Sequence, residues 1–136
     1  MVAGEGSESM AAILVVDDDT ISLRMLSYTL QKHGHEVITA LNGRIAIGRL
    51  SERRFDLLIA DLTMPEMDGL ALLRHVRADP QLRALPVIML TASGQDQDRL
   101  TAEAEGVDAF LTKPTGSHEL LEVAGRMLDA AGLRAR

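Results

Sequence analysis

The chain has 136 residues, a net charge of −6 and no cysteine, so we expect one domain without disulfide bonds or thiolate metal sites. Its 46% hydrophobic content supports a full core, which must be aliphatic because there is no Trp, one Tyr and two Phe. No run of about 20 apolar residues could span a membrane, and no basic stripe of the kind that binds duplex nucleic acid is visible.

The amino-terminal residues are predicted to lie outside the domain. MVAGEGSESM has neither the basic region nor the apolar segment of a signal peptide, so we interpret residues 1–11 as a flexible leader. The domain is placed at residues 12–133 and a short tail at 134–136. No internal repeat or low-complexity linker divides this span.

Apolar runs and helical patterns alternate from the start of the domain. ILVV at 13–16 predicts a buried strand, and a helix is expected over 20–34, where leucines recur on one face. EVITA at 36–40 is rich in β-branched residues and predicts a second strand, followed by a helix over 42–54. DLLIAD at 56–61 predicts a third strand that ends in an acid.

The second half of the chain continues this alternation. A helix over 70–79 stops before a proline, and PVIMLT at 86–91 predicts a fourth strand. The helix expected over 95–106 has few apolar residues, DAFLTKP at 108–114 predicts a last short strand, and 117–132 predicts an amphipathic last helix. Five strands alternating with five helices predict an α/β fold, a doubly wound (βα)5 parallel sheet with helices on both faces.

Residue types also predict the helix ends and the buried faces. Asp19 or Thr20 is expected to cap the first helix and Asn42 the second, and Gly34 to end the first. The residues expected to face the core are Leu23, Leu26, Leu30, Leu120, Ala124, Met127 and Leu128. No histidine follows a strand, so surface or helix-face positions are expected for His33, His35, His75 and His118.

Polar residues follow four of the five predicted strands, at the edge where a doubly wound sheet binds its ligands. They are Asp17, Asp18 and Asp19 after the first strand, Asp61 after the third, Thr91 after the fourth and Lys113 after the fifth. Taken singly, each has an ordinary role as a helix cap, a turn or a strand end. Their joint placement, each at the end of its own strand, instead predicts one shared site.

The charges of this predicted site indicate which ligand it binds. Two carboxylates about 4 Å apart repel by about 4 kcal/mol at an effective dielectric of about 20, and one lysine does not offset three acids. Mg²⁺ prefers carboxylate, water and phosphate oxygens, whereas zinc would call for His or Cys, which are absent from these strand ends. The pattern therefore favours a Mg²⁺ and phosphate site.

Four stretches of the chain resemble the receiver domain of two-component response regulators: ILVVDDD, DLLIADLTMPEMDGLALL, PVIMLTA and DAFLTKP. They span residues 13–114, and the helical pattern up to about 132 also fits. The resemblance implies a flavodoxin-like sheet with the strand order 2-1-3-4-5. It further implies a signalling phosphoacceptor, not an enzyme, whose only catalysis is its own phosphoryl transfer and autodephosphorylation.

The same resemblance implies roles for the strand-end residues. Asp61 would be the phosphoacceptor, taking a phosphoryl group from a phosphohistidine of a sensor histidine kinase or a histidine phosphotransfer protein. Asp18 and Asp61 would bind Mg²⁺ directly, Asp17 through a water molecule, and Thr63 through its backbone carbonyl. Lys113 would pair with the phosphoryl oxygens.

Further implied roles concern the response to phosphorylation. Thr91 would hydrogen-bond the phosphoryl group, and Phe110 would be the aromatic switch residue, here without the hydroxyl of the frequent Tyr. Thr63 and Ala92 would tune the phosphoryl lifetime. The face within residues 95–132 is the expected surface for a downstream protein target, and a phosphorylation-dependent dimer is compatible with it. Neither nucleic-acid nor membrane binding is expected.

The sequence also bears on the cellular compartment and on whether the domain stands alone. The absence of cysteine fits a reducing cytoplasm, where we expect the protein. The sequence fits two arrangements equally well: a stand-alone receiver, or a receiver excised from a larger regulator or a hybrid kinase.

Two alternatives use the same residues differently. A Mg²⁺-dependent phosphohydrolase of the haloacid dehalogenase type carries an aspartyl nucleophile in D-x-D-x-[TV]; Asp17 and Asp19 match, but Ile21 does not, and no cap domain encloses a substrate. A receiver fold that serves as an interaction platform without phosphorylation is the other alternative. The complete set of acids with Lys113 disfavours it.

Overall fold

A computed structural model of the chain describes residues 11–64, 67–92 and 96–130, with only the backbone of Asp96 included. Its elements are, in chain order, β1 (Ala12–Val16), α1 (Thr20–Lys32), β2 (Glu36–Ala40), α2 (Gly43–Glu52), β3 (Leu57–Asp61), α3 (Gly69–Ala78), β4 (Val87–Thr91), α4 (Asp96–Ala104), β5 (Ala109–Thr112) and α5 (Ser117–Ala130). The predicted types and order are confirmed, and the predicted ends that fall on described residues differ from the observed ones by no more than two residues. The predicted leader up to residue 10, the tail and residues 95 and 131–133 lie outside the described part.

All five strands are parallel and lie in the order β2-β1-β3-β4-β5. This confirms the doubly wound, flavodoxin-like sheet that the sequence and its resemblance predicted. The order changes direction beside β1, whose neighbours are β2 and β3. The carboxyl ends of β1 and β3 therefore lie side by side, and this is where such sheets bind ligands.

Successive strand residues point to opposite faces of the sheet, and both faces are covered by helices. One apolar cluster joins the sheet to α1 and α5, through the buried helix residues Leu23, Leu26, Leu30, Leu120, Val123, Ala124 and Leu128. The other joins the sheet to α2 and α3, through Ala46, Leu50, Leu72, Leu73 and Val76. Fully burying one aliphatic side chain contributes about 1.5–3 kcal/mol, so these clusters hold the strand ends in fixed positions. Met127, predicted to face the core, is partly buried against the first cluster.

The predicted caps form hydrogen bonds at the helix ends. The Asp19 carboxylate accepts from the Ile21 N–H at 3.0 Å at the start of α1, and Asn42 accepts from the Ile45 N–H at 2.8 Å at the start of α2. Gly34, with φ of 100°, follows α1 in a turn where its N–H donates to the carbonyl of Gln31 at 3.0 Å. A left-handed glycine after the last helical residue is the usual way to end a helix.

The prediction of a surface or helix-face position was wrong for His35, which lies in the turn after α1 and is only 6% exposed, while His33, His75 and His118 are exposed. The N–H of His35 donates to the carbonyl of Leu30 at 3.1 Å, which closes the turn after α1. The residue in this position normally packs against the helix residue that accepts its hydrogen bond. The turn therefore buries the histidine, whatever its polarity.

The helix α4 has the least apolar anchoring. Among its described side chains only Ala102 is fully buried, and Leu100 is 59% exposed. Neither apolar cluster contains any of the described side chains of this helix. None of the described helices combines the length and the apolar character that crossing a bilayer requires.

Candidate functional site

The carboxyl ends of the central strands bring together the residues that the sequence singled out. Asp17 directly follows β1, and its N–H donates to the carbonyl of Ala40 at 3.1 Å, which extends the pairing with β2. Asp61 is the last residue of β3 and Thr91 the last of β4. The N–H of Lys113, the residue after β5, donates to the carbonyl of Thr91 at 2.7 Å. The sheet itself thus fixes the backbone of all four residues.

One lysine connects two of the acids. The ammonium nitrogen Nζ of Lys113 lies 2.7 Å from Oδ2 of Asp17 and 3.4 Å from Oδ1 of Asp61. Burial alone would lower the pKa of Lys113, but its hydrogen bond to Asp17 and the charges of both acids raise it overall. The lysine therefore remains a cation at this edge of the sheet.

The buried acid Asp17 uses both of its carboxylate oxygens. Oδ2 accepts from Lys113, and Oδ1 accepts from the N–H of Asp19 at 2.9 Å. The sequence placed Asp19 among the strand-end acids and offered it as a helix cap. The N–H of Asp19 also orients the carboxylate of Asp17. This contact depends on the turn after β1, so the run of three acids alone does not predict it.

A third acid completes a cluster of oxygen ligands. One carboxylate oxygen from each of Asp17, Asp18 and Asp61 lies within 4.8 Å of the others, with Asp18 exposed and the other two buried. Within the described part of the chain, Lys113 is the only cation that forms an ion pair with this group. The donors are all hard oxygens and carry excess negative charge, so the set fits Mg²⁺.

The site raises the pKa of Asp61 from its ordinary value of 3.8 to about 6. Burial is the main cause, and the charges of Asp17 and Asp18 add to it, while Lys113 acts in the opposite direction. Ionised Asp61 therefore destabilises the folded protein when no metal ion is bound. A divalent ion beside the carboxylate would relieve this cost.

The substitution Asp61→Asn is expected to stabilise the fold at about pH 8 by about 1–2 kcal/mol when Mg²⁺ is removed with a chelator. This is less than the full pKa shift implies, because the pocket opens to solvent beside Asp18. Between the unfolded pKa and about 6, the folded wild type binds more protons than the unfolded chain, so its stability falls as pH rises through this range. Urea unfolding at about pH 5 and about pH 8 checks the prediction.

The same experiment carries its own control. The difference between the two proteins should narrow toward pH 5, where Asp61 is largely protonated in the folded wild type. Saturating Mg²⁺ should stabilise the wild type more than the variant. An Asp61→Asn protein that is less stable than wild type at about pH 8 without Mg²⁺ would contradict this electrostatic account.

The remaining predicted residues lie around this cluster. Thr91 is 2% exposed, and Ala92 after it is exposed, as is Thr63 in the loop after β3. Phe110 on β5 packs, partly buried, against the second apolar cluster. The guanidinium carbon of Arg99 on α4 lies 5.9 Å from its ring centroid, within the range of a cation–π contact.

The loop after Asp61 is held close to the site by Gly69. Its N–H donates to the carbonyl of Leu62 at 2.8 Å, and α3 begins at this residue. A Cβ atom here would overlap the backbone carbonyl oxygen of Asp61 and lie 2.8 Å from Sδ of Met89. This contact with the backbone of Asp61 became visible only in the fold.

Comparisons with known proteins agree on one family. The sequence model of the response regulator receiver domain matches residues 13–124. The chain is 33% identical over 119 residues to protein PilH of Pseudomonas aeruginosa, covering 88% of this chain and 98% of PilH. It is 40% identical over 119 residues to the phosphate regulon transcriptional regulatory protein PhoB of Rhizobium meliloti, covering 88% of this chain but only 52% of PhoB.

A solved structure extends this similarity to three dimensions. The chemotaxis protein CheY4 of Vibrio cholerae superposes with a TM-score of 0.84 at 37% identity, covering 88% of this chain and all of CheY4 (100%). The chain thus spans about half the length of PhoB and nearly the full length of PilH and CheY4.

Proposed function

The chain belongs to the receiver domain family of two-component response regulators, and on this premise we propose that Asp61 is the residue that accepts the phosphoryl group. The donor is a phosphohistidine of a sensor histidine kinase or a histidine phosphotransfer protein. The observation that carries the proposal is the position of Lys113 Nζ, 2.7 Å from Asp17 and 3.4 Å from Asp61. A cation at this position can pair with Asp61 before transfer and with the phosphoryl oxygens after it.

Phosphoryl transfer depends mainly on positioning and charge neutralisation, and the chain's own residues supply both. Asp61 is fixed by its strand and serves as the attacking carboxylate. Lys113 pairs with the incoming phosphoryl oxygens. Asp18 and Asp61 would hold Mg²⁺ directly, with the carbonyl of Thr63, and Asp17 through water, since both Asp17 oxygens already accept hydrogen bonds. Bound there, Mg²⁺ would supply the positive charge that offsets the phosphoryl group.

The response to phosphorylation is assigned to β4, α4 and β5. The new negative charge on Asp61 draws the hydroxyl of Thr91, and Phe110 turns toward the space that opens. Thr63 and Ala92 flank the path of the hydrolysing water and set the lifetime of the phosphoryl group. The face formed by α4, β5 and α5 then changes its affinity for a downstream protein, as a monomer or as a dimer.

A different surface is assigned to the phosphodonor. Ile21, Met25 and Tyr28 form an exposed apolar stripe along α1, with exposures of 70%, 65% and 63%. Ile21 and Met25 line one groove together with Lys113 and Pro114, so the stripe is continuous with the site. Exposed apolar side chains beside a polar rim are typical of protein contacts.

We also place the domain in the cytoplasm, whose reducing conditions suit a chain without cysteine.

Incubation with acetyl phosphate and Mg²⁺, followed by intact mass measurement, tests the proposed function. The wild type should gain the mass of one phosphoryl group, and Asp61→Asn should gain none. Asp68→Asn is the matched control, because this exposed acid caps α3 by accepting from the Ala71 N–H, a bond that asparagine retains. Phosphoryl uptake by Asp61→Asn, or none by the wild type, would refute the assignment.

The two alternatives fit less well. In a phosphohydrolase of the haloacid dehalogenase type, Asp17 and Asp19 would have to serve the substrate, yet Asp17 is fully buried and Asp19 caps α1. The family comparisons do not favour this enzyme. A receiver that is never phosphorylated would have no need for Lys113 between two acids.

A further inference from the structure

The side chain of Arg77, on α3, reaches two loops at the end of the sheet opposite to the acidic site. Its Nη1 donates to the carbonyls of Arg83 and Leu85 at 3.1 and 2.7 Å, in the loop before β4. Its Nε donates to the carbonyl of Gly106 at 2.9 Å, and its Nη2 to Asp108 at 2.8 Å, in the turn between α4 and β5. One guanidinium thus joins α3 to both loops.

The turn that receives Arg77 is itself closed by hydrogen bonds. After α4, the N–H of Gly106 donates to the carbonyl of Glu103 at 3.1 Å and that of Val107 to Ala102 at 3.0 Å. Gly106 has φ of 94°, and a Cβ atom there would lie 3.1 Å from Nε of Arg77. The glycine therefore both permits the turn and lets the arginine pack against it.

The partner Asp108 ties this turn to the sheet. Its Oδ2 accepts from the Val87 N–H at 2.8 Å as well as from Arg77, and its own N–H donates to the Val87 carbonyl at 3.0 Å. The Arg77 side chain is 22% exposed, so this network is partly shielded from water. Hydrogen bonds between charged groups are stronger than neutral ones, and this one connects three segments.

The two ends of α4 therefore differ in their attachment. Its carboxyl-terminal end is held by Arg77, whereas the neighbouring ion pair between Arg74 and Glu105 at 3.1 Å involves a more exposed arginine and contributes little. Its amino-terminal part contributes no fully buried side chain among those described, since Ala102 in the last turn is the sole one. Movement of α4 should therefore be confined to its amino-terminal end, the end nearer in sequence to Thr91.

We propose that Arg77 is a fixed anchor for the carboxyl-terminal end of α4, so that this helix moves by displacement of its amino-terminal end about that point. The anchor is independent of the proposed function, whereas its use in signalling rests on it. In signalling, a change at Asp61 and Thr91 would tilt α4 within the face formed by α4, β5 and α5 instead of detaching the helix from it.

Native-state amide hydrogen exchange of Arg77→Ala tests the anchor. We expect exchange at Gly106 and Val107 to become faster by about ten-fold or more, while the amides of α1 stay within about three-fold of wild type. Arg74→Ala is the matched control: it removes a neighbouring, more exposed arginine with a single ion pair, and it should leave these amides within about three-fold.

Asp108→Asn guards against a general loss of stability in Arg77→Ala. It removes the charge that faces Arg77 while retaining an oxygen for the Val87 N–H, so its effect should be smaller but confined to the same turn. A uniform increase in exchange throughout the domain in both variants, or an equal effect of Arg74→Ala, would overturn the anchor.

Beryllofluoride with Mg²⁺, a mimic of the phosphoryl group, tests the use of the anchor in signalling. In the wild type, amide chemical shifts should change at residues 97–99 and little at 105–108; in Arg77→Ala the changes should extend to 105–108. Equal changes at both ends of α4 in the wild type would overturn the pivot. No change at Asp61 would count against the proposed function and the signalling role, while the exchange result would stand on its own.

Discussion

Replacement of Lys113 by methionine is expected to slow phosphoryl uptake from acetyl phosphate by about 100-fold or more, even at saturating Mg²⁺. Its ammonium group is the cation in contact with both Asp17 and Asp61, and methionine retains much of its length without the charge. The loss leaves two buried acids facing each other, and because Lys113 lowers the pKa of Asp61, its removal would favour the protonated, unreactive carboxyl. The time course of intact mass measures the rate.

Two other variants separate charge from position. Lys32→Met removes an exposed lysine, whose Nζ lies 5.8 Å from the ring centroid of Tyr28, and should retain the wild-type rate. Lys113→Arg keeps the charge, but its planar head cannot take the place of a compact ammonium, so an intermediate rate is expected. A Lys113→Met protein that reacts within about ten-fold of wild type would show that this lysine does not stabilise the transition state.

The parallel sheet and the convergence of the acids at one edge were predictable from short patterns in the sequence, whereas the strand order came from the resemblance to receiver domains. Short aliphatic runs mark buried strands, and the carboxyl ends of parallel strands share one edge. The misplaced strand ends have a physical cause. Asp56 and Asp108 were counted as strand residues, yet their carboxylates accept the N–H groups of Ala12 and Val87 at 2.8 Å. Hydropathy patterns do not register such bonds between side chain and backbone.

What the sequence could not give is the geometry that tunes the site. That Lys113 contacts two acids at once, and that burial raises the pKa of Asp61 to about 6, both depend on distances between residues far apart in the chain. The burial of His35 likewise depends on the turn that follows α1. The role of Arg77 was invisible because three of its four acceptors are backbone carbonyls.

The substitution Gly69→Ala is expected to destabilise the fold by about 2–4 kcal/mol and to slow phosphoryl uptake. The new Cβ would overlap the Asp61 carbonyl oxygen and lie 2.9 Å from the Leu62 Cα. Both are backbone atoms, which cannot move aside as a flexible side chain can. Relief would have to come from displacing the start of α3 or the end of β3, and the latter carries the phosphoacceptor. Urea unfolding without Mg²⁺ measures the stability.

The matched control is Gly48→Ala, in the exposed middle of α2, where a Cβ would meet nothing within 4 Å. There the same change should stabilise the fold by about 0.5–1 kcal/mol, because alanine loses less backbone entropy in a helix. The opposite signs expected for one chemical substitution isolate the steric contact at Gly69 from any general effect of a methyl group. If Gly69→Ala were within about 1 kcal/mol of wild type and reacted normally, the close approach of α3 to Asp61 would not be what positions the acid.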